Sequence, residues 1–346
     1  MTKKKLGEQV VCDEKSEWLK ERRKRIMASD SRAILGVGFS NESPLTVWEQ
    51  KVDDDFIEDD FDDETKLRFA IGLAMEDSLR KATSLTLQKT VKHDTQWRIR
   101  THLQFPWMGA TLDGWYHDEG NLIPVEFKNV GVWNRAAWDE NAVPIGVWVQ
   151  VQHQIAVTGA PHAVVVANVG SGSPLTRTVE RDAEFITLLV TQLMKFREHI
   201  ITKVPPKADF SVATAKALVR MHPDDNGLTL RLPDNPCKHA AAKLEWLKDQ
   251  IKELSQQKRE IENAFKTVLA DNTYGEFEDG SCVSWKTQER KEFTVKASKT
   301  RVLRYHQTSN EERTYVNELN DDGTRKRIEQ QGFDQLAQID RNAPRS

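Results

Sequence analysis

Along the chain, apolar positions recur first at helical and then at strand spacing. Residues 15–36, KSEWLKERRKRIMASDSRAILG, read as a charged helix followed by a second helix start, with Ser29 or Asp30 as the cap of a turn running into Ala33, Ile34 and Leu35. NESPL at 41–45 is a turn, and SPLTVWEQKV after it predicts a short helix. Between 65 and 85, Leu67, Ala70, Ile71, Ala74, Met75, Leu79 and Ala82 fall close to helical spacing, which predicts an amphipathic helix. Segments 86–93 and 96–105 read as strands. ATLDGWY then alternates, DEGN supplies a turn, and LIPVEFKNV forms the return strand of a hairpin. Pro124 is awkward in a central strand and points to an edge or an irregular start.

Residues 144–159, PIGVWVQVQHQIAVTG, fit either strand or helix by local propensity. The shared face of Gln150, Gln154 and Val157, and the clean stop at VTGAP, favour helix. HAVVVANVG at 162–170 is a buried strand, with a helix from about 180 to 200. Helix, strands, helix and strand in this order predict an α/β core of a few strands with helices on both faces. PPKAD at 205–209 opens a second region. There, Leu244, Leu247, Ile251, Leu254, Ile261, Phe265 and Val268 mark one long helix over 241–270, whose default is to pack on its own chain; helical pairing and partner binding are the alternatives. SCVSWKTQERKEFTV reads as a small β element, followed by a polar end compatible with disorder. The organisation expected is a core at 15–204, an extension at 205–310 and a polar tail at 311–346.

With 346 residues, 38% of them hydrophobic, the chain can bury a sizeable core and form two domains. A formal net charge of −3 argues, taken alone, against a nucleic-acid binder. The charge is uneven, however: KVDDDFIEDDFDDE at 51–64 holds nine acids and one lysine, most simply a solvated loop, and leaves the remainder mildly basic. Cys12, Cys237 and Cys282 lie far apart, without the spacing of a zinc ribbon, and suit a reducing compartment. His93, His102, His153 and His162 are scattered and form no metal-ligating pattern. No G-x-x-x-x-G-K-[ST] loop is present, which speaks against an NTP-driven enzyme. No apolar run reaches the length of a membrane span, so neither insertion nor export is expected.

The chemistry concentrates at GATLDGWYHDEGNLIPVEFK, residues 109–128. On a strand, Glu126 and Lys128 point to one face, and Asp113, on the preceding hairpin strand, shares it. Two carboxylates at a common point repel unless a cation lies between them, and hard divalent cations accept such oxygens. A lysine beside them steadies an attacking water or the charge developing on a phosphate, which is the chemistry of phosphodiester hydrolysis. By itself D-x12-E-x-K is a weak pattern in a chain that is 30% charged, and a surface hairpin with a salt bridge accounts for it equally. Val125 and Phe127 should face the core, leaving Glu126 and Lys128 on a strand with one well-buried side. Glu76 offers a third carboxylate or is a plain solvent-facing acid. Gln150, Gln152 and Gln154 are unusual in an apolar run, and buried amides need partners.

The blocks MASDSRAILGVG, SPLTVWEQK, IGLAMED, FPWMGATLDG, VEFKN and VQVQHQIAVTGAPHAVVVANVG occur in an order that resembles the YqaJ-type viral recombinase nucleases. These are phage exonucleases related to lambda exonuclease, within the PD-(D/E)xK superfamily. The likeness spans about 15–310, continuing through ALVRMHP, the long helix and WKTQ. It implies a restriction-endonuclease-like α/β fold: a mixed central sheet flanked by helices, with a C-terminal helical and small β region. It implies Asp113, Glu126, the Phe127 carbonyl and Glu76 as ligands of Mg²⁺, with Mn²⁺ as a substitute. Lys128 would activate or position the water, and Gln150, with Gln152 a weaker candidate, would contact the catalytic region. Arg22 and Ser29, in a W-x-x-x-R…A-S spacing from Trp18, would hold the 5′-phosphate of a DNA end, a task suited to a guanidinium and a hydroxyl; Arg23 or Arg25 are alternatives to Arg22. Leu112 stands where the family usually has proline before the aspartate.

The activity so implied is magnesium-dependent 5′-to-3′ digestion of linear duplex DNA, leaving 3′ single strands for phage-type annealing. The implied partners are double-stranded DNA ends, a single-strand annealing protein and further copies of the chain in a ring such as a trimer. The implied location is the cytoplasm of a bacterial host. The alternatives are an endonuclease or repair nuclease of the same fold, and a non-catalytic DNA-binding scaffold.

Overall fold

The hairpin between Gly114 and Val130 organises the core. In the computed structural model, which describes residues 7–53, 63–138, 143–170 and 173–289 together with 303, 314–315 and 324–341, two four-stranded sheets occupy the first of two compact units, divided between Arg220 and Met221. In chain order the first unit contains β1 (Gln9–Cys12), α1 (Lys15–Arg23), β2 (Ile26–Met27), α2 (Ala28–Ile34), α3 (Pro44–Val52), α4 (Asp63–Leu87), β3 (Trp97–Thr101), β4 (Met108–Ala110), β5 (Gly114–Asp118) and β6 (Asn121–Val130). A 3₁₀ segment (Val132–Trp138), α5 (Ile145–Thr158), β7 (His162–Val169), β8 (Leu175–Glu180) and α6 (Ala183–Thr202) follow, and α7 (Val212–Met221) ends at the division between the units.

The main sheet has the order β5-β6-β7-β8, with β6 and β7 parallel and the outer pairs antiparallel. Glu119 and Gly120 both take positive φ, as a two-residue turn matched to the strand twist requires. Pro124 pairs only with β5, opposite Trp115; the ladder with β7 begins one residue later, at Val125, so the proline sits where the strand still has a single neighbour. Side chains alternate across the sheet. Ile123, Val125, Phe127, Val164 and Val166 pack with Leu79 of α4, whereas Ala163, Val165 and Ala167 pack with Val151 and Ile155 of α5 and Ile186 of α6. Glu126 and Lys128 therefore belong to the α5 side, and both faces of β6 are covered, not one as the sequence suggests. The helix reading of 144–159 holds, and α5 ends at Gly159 with φ +67°.

The second sheet, β1-β3-β4-β2, brings the segment after α1 beside β4, with β2 and β4 parallel. Helix α3 starts as the sequence predicts: Pro44 opens it, while Ser43 and Thr46 exchange side-chain-to-amide hydrogen bonds of 3.2 and 2.9 Å.

Four expectations change. Neither Ser29 nor Asp30 caps α2, because the helix already begins at Ala28; Asp30, inside the first turn, accepts from the Met27 amide at 2.8 Å. The strand expected at 86–93 shrinks to an isolated bridge between Lys92 and Trp115, since α4 continues to Leu87 before Gln88 ends it with φ 52°. The amphipathic pattern of α4 is buried only toward its end: Leu79 is in the core while Leu67 and Ile71 are exposed. Of the acidic run, Lys51 and Val52 finish α3 and Asp63 begins α4, while 54–62 lie outside the described residues.

In the second unit, β9 (Leu228–Thr229), α8 (Asp234–Leu269), the hairpin β10 (Tyr274–Glu276) and β11 (Cys282–Ser284), β12 (Thr314–Tyr315) and α9 (Thr324–Arg341) follow in order. Of SCVSWKTQERKEFTV, Cys282–Ser284 is a strand, and residues 290–295 lie outside the described residues. The polar tail carries a helix, α9, which lies against α8. Within this unit the apolar stripe of α8 is largely exposed, although α9 lies against the helix.

Candidate active site

Asp113 precedes β5 by one residue, and Gly114 lets the chain close in behind it. A Cβ at Gly114 would meet Val91 Cγ1 at 3.0 Å and Phe127 Cε2 at 3.2 Å, closer than ordinary contact. The approach puts Asp113 Oδ2 at 3.0 Å from the amide of Phe127, which donates to it. A strand residue directs its amide and carbonyl to the same edge, so the Phe127 carbonyl lies on the edge that Asp113 occupies.

Glu126 is buried, 2% exposed, and its two oxygens are fully engaged. Lys128 Nζ donates to Oε1 at 2.5 Å, Gln150 Nε2 to the same oxygen at 2.7 Å, and Gln154 Nε2 to Oε2 at 2.6 Å. Lys128 also reaches Gln150 Oε1 at 3.4 Å. Gln150 and Gln154 are one helical turn apart on α5, so both meet the same strand residue. Gln152 points elsewhere: it donates to the Glu180 carbonyl at 2.7 Å and accepts from the Asp182 amide at 3.1 Å. The weaker glutamine candidate thus joins α5 to the β8–α6 connection.

Burial pushes the Asp113 carboxyl well above its usual range; the charges of Glu126 and Glu76 push the same way, opposed by Lys128 and the Phe127 amide. Glu76, half-buried on α4, is also raised by burial and by Glu126, with Lys128 opposing. Three acids thus share one field with a single lysine among the groups that shape it. Among the described residues no three of His, Cys, Asp and Glu converge closely enough to hold an ion alone. The donor set nonetheless fits a hard divalent cation, since acids raised by burial and by one another's charge are what such an ion stabilises as carboxylates.

Arg22 and Ser29 also meet. The Arg22 guanidinium lies 3.3 Å from Ser29 Oγ and 4.5 Å from the centre of the Trp18 ring, so all three members of the spacing motif converge. Arg25 is engaged by Glu21 at 2.7 Å, which weakens it as an alternative. Beneath them Lys51 pairs with Asp30 at 2.7 Å and donates to the Arg22 carbonyl at 3.2 Å.

Two participants escape a sequence reading centred on the acids. Gln154 is one, although its shared face with Gln150 was the available signal. Arg32 is the other. Almost buried on α2, it is held by Glu42 at 2.6 and 2.9 Å and donates to Gln150 Oε1 at 2.9 Å. Next to it Ser31 Oγ lies 2.6 Å from His153 Nδ1, and burial pushes that imidazole down to about 3. Helix α2, which carries Ser29, is thereby tied to the helix that holds Glu126.

A four-stranded mixed sheet with helices on both faces thus bears Asp113, Glu126 and Lys128 at its hairpin. Over residues 17–161 the chain matches the YqaJ-like viral recombinase domain. This match ends well inside the 15–310 span suggested by the sequence blocks. The chain is 26% identical over 265 residues to the YqaJ protein of Bacillus subtilis (strain 168), covering 75% of this chain and 80% of that one. Among solved structures it is distantly similar to an alkaline exonuclease, LHK-Exo, from Laribacter hongkongensis, at 16% identity and a TM-score of 0.44, covering 54% of this chain and 93% of that one. Against LHK-Exo in complex with dAMP the identity is 17% and the TM-score 0.46, covering 60% and 97%. No helix among the described residues is long and apolar enough to cross a membrane.

Proposed function

We propose that the protein is a magnesium-dependent 5′-to-3′ exodeoxyribonuclease acting on linear double-stranded DNA. The observation that carries this reading is the Asp113–Glu126–Lys128 cluster, in which burial and neighbouring negative charge hold Asp113 toward its protonated form. Asp113, Glu126, the Phe127 carbonyl and Glu76 would hold the ion, Mg²⁺ or Mn²⁺ in its place. When bound, it supplies Lewis-acid stabilisation of the phosphate and a more acidic water.

The residues themselves perform the positioning. Lys128 holds the attacking water against the phosphorus and offers its ammonium to the charge that develops on the phosphate oxygens. Gln150 and Gln154 fix the Glu126 carboxylate, and Gln150 also steadies Lys128. Water adds to phosphorus and the bond to the 3′ oxygen of the terminal nucleotide breaks. The products are a 5′-mononucleotide with a free 3′-hydroxyl and a strand with a new 5′-phosphate. Arg22 and Ser29 receive that phosphate, so each cycle recreates the group that the pair recognises. Continued digestion leaves a 3′ single strand, the substrate of an annealing protein in phage-type recombination within a bacterial cytoplasm. Further copies of the chain, as in a ring trimer around the duplex, would keep the enzyme on its track.

The test is digestion of linear duplex DNA labelled separately at each end, with and without Mg²⁺, beside a covalently closed circle and Glu126→Ala. Magnesium-dependent loss from the 5′ end, absent on the circle and in the variant, is the expected result. Nicking of the circle would replace this reading by an endonuclease, and binding without cleavage by a scaffold.

A further inference from the structure

Helix α8 runs for 36 residues. Leu244, Leu247, Ile251, Leu254, Ile261, Phe265 and Val268 succeed one another along it at alternating steps of three and four, once Lys258 is counted in its place between Leu254 and Ile261. That period is 3.5 residues, the repeat of a coiled-coil seam, not the broader stripe of a helix laid on a globular core. Exposure is 36% at Leu244, 63% at Ile251, 59% at Ile261 and 80% at Val268, and every residue from 251 to 265 is exposed. Helix α9 lies against α8 yet leaves these side chains in solvent.

We propose that α8 pairs with α8 of a second copy of the chain as an antiparallel coiled coil. The seam is complementary to itself in a single register that uses every layer. With the helices crossing at Gln256, Leu244 meets the partner's Val268, Leu247 the partner's Phe265, and Ile251 the partner's Ile261. Leu254 meets the partner's Lys258, and two-fold symmetry repeats each pair. Lys258 already forms an ion pair with Glu262 of its own helix at 3.2 Å, which draws its ammonium out of the seam. A lone polar residue at such a position fixes register.

Charge chooses the direction. In the antiparallel register Lys248 flanks the seam opposite the partner's Glu262, twice by symmetry. A parallel pair would set Lys243 beside the partner's Lys248, also twice, and like charges there repel. The self-complementarity also chooses the occupant, since a helix that matches its own copy in both core and flank needs no second sequence.

The experiment is the mass of the full chain by light scattering at tens of micromolar, against Ile251→Asp/Ile261→Asp. Both positions are exposed, so the variant keeps its helix content by circular dichroism, and the wild-type mass is expected to be twice that of the variant, whatever else the first unit assembles with. In a Cys282→Ser background, Gln257→Cys, beside the two-fold axis, should cross-link to itself on oxidation, whereas Leu254→Cys should not. Lys248→Glu should weaken dimerisation about tenfold, and Lys248→Glu/Glu262→Lys should restore it. Equal masses for wild type and variant, self-cross-linking at 254 instead of 257, or a tighter dimer with Lys248→Glu would each overturn the proposal. None of these measurements depends on nuclease activity.

Discussion

Gln154 donates to Glu126 Oε2 at 2.6 Å, giving a buried carboxylate a partner that no local pattern around VEFK announces. Gln154→Leu removes that donor while keeping the volume. The expected cost is about 1–3 kcal/mol of stability by urea unfolding, from a buried acceptor left unpaired. On the proposed function, activity should fall roughly 10–100-fold, as when a group that orients a metal ligand is lost.

Asp113 gives a second test. Its folded-state affinity for protons is raised, so between the unfolded value near 3.8 and the raised folded value the native state binds more protons than the unfolded one. Its contribution to stability is present below that window and is lost as pH rises through the folded value. Without metal, Asp113→Asn should therefore be more stable than wild type at pH 8, with the difference narrowing on acidification. Mg²⁺ should release a proton from wild type, read by calorimetry in two buffers of different ionisation enthalpy, and should no longer raise the Tm of the variant.

His153 has the opposite sign. Its folded value of about 3 lies below the ordinary 6.5, so the unfolded chain binds the extra proton in between. The stability it confers is whole above 6.5 and is lost as pH falls toward 3, at up to about 1.4 kcal/mol per pH unit. Unfolding of wild type and His153→Gln from pH 7 to 4 should converge by roughly that slope.

Arg22→Ala should slow digestion of 5′-phosphorylated ends about 10–100-fold, the loss expected for one hydrogen bond between charged groups. Ends bearing a 5′-hydroxyl should be digested at the unchanged rate. Arg22→Lys should recover only part of the preference, since an ammonium lacks the planar fork. Single-turnover rates on the two end types measure the ratio.

The sequence was most legible where local chemistry dictates local shape. The turn at Glu119–Gly120, the Ser43–Thr46 cap and the stop at Gly159 follow from φ preferences and nearby hydrogen bonds. It was least legible where a partner arrives from far along the chain. Arg32 and Gln150 are 118 residues apart, and nothing in SDSRAIL shows that its arginine joins a glutamine beside VEFK. Strand 86–93 failed for a related reason: TLQKTVK favours extended backbone, but burial of Leu79 and the partial burial of Leu87 beside it carry α4 onward. Asp113 and Glu126 lay between these cases, since a tight hairpin fixes its own register.

Ser29 and Arg32 stand on the same seven-residue helix, and Arg32 reaches across to Gln150. The interval between the Arg22–Ser29 pair and Glu126 is therefore set by one short rigid rod braced at Ser31 against a buried, uncharged imidazole. Such a brace works as a ruler. It measures a fixed length from one end of the rod to the other, and a change in the Ser31–His153 contact would alter the reading without touching either group that is being measured.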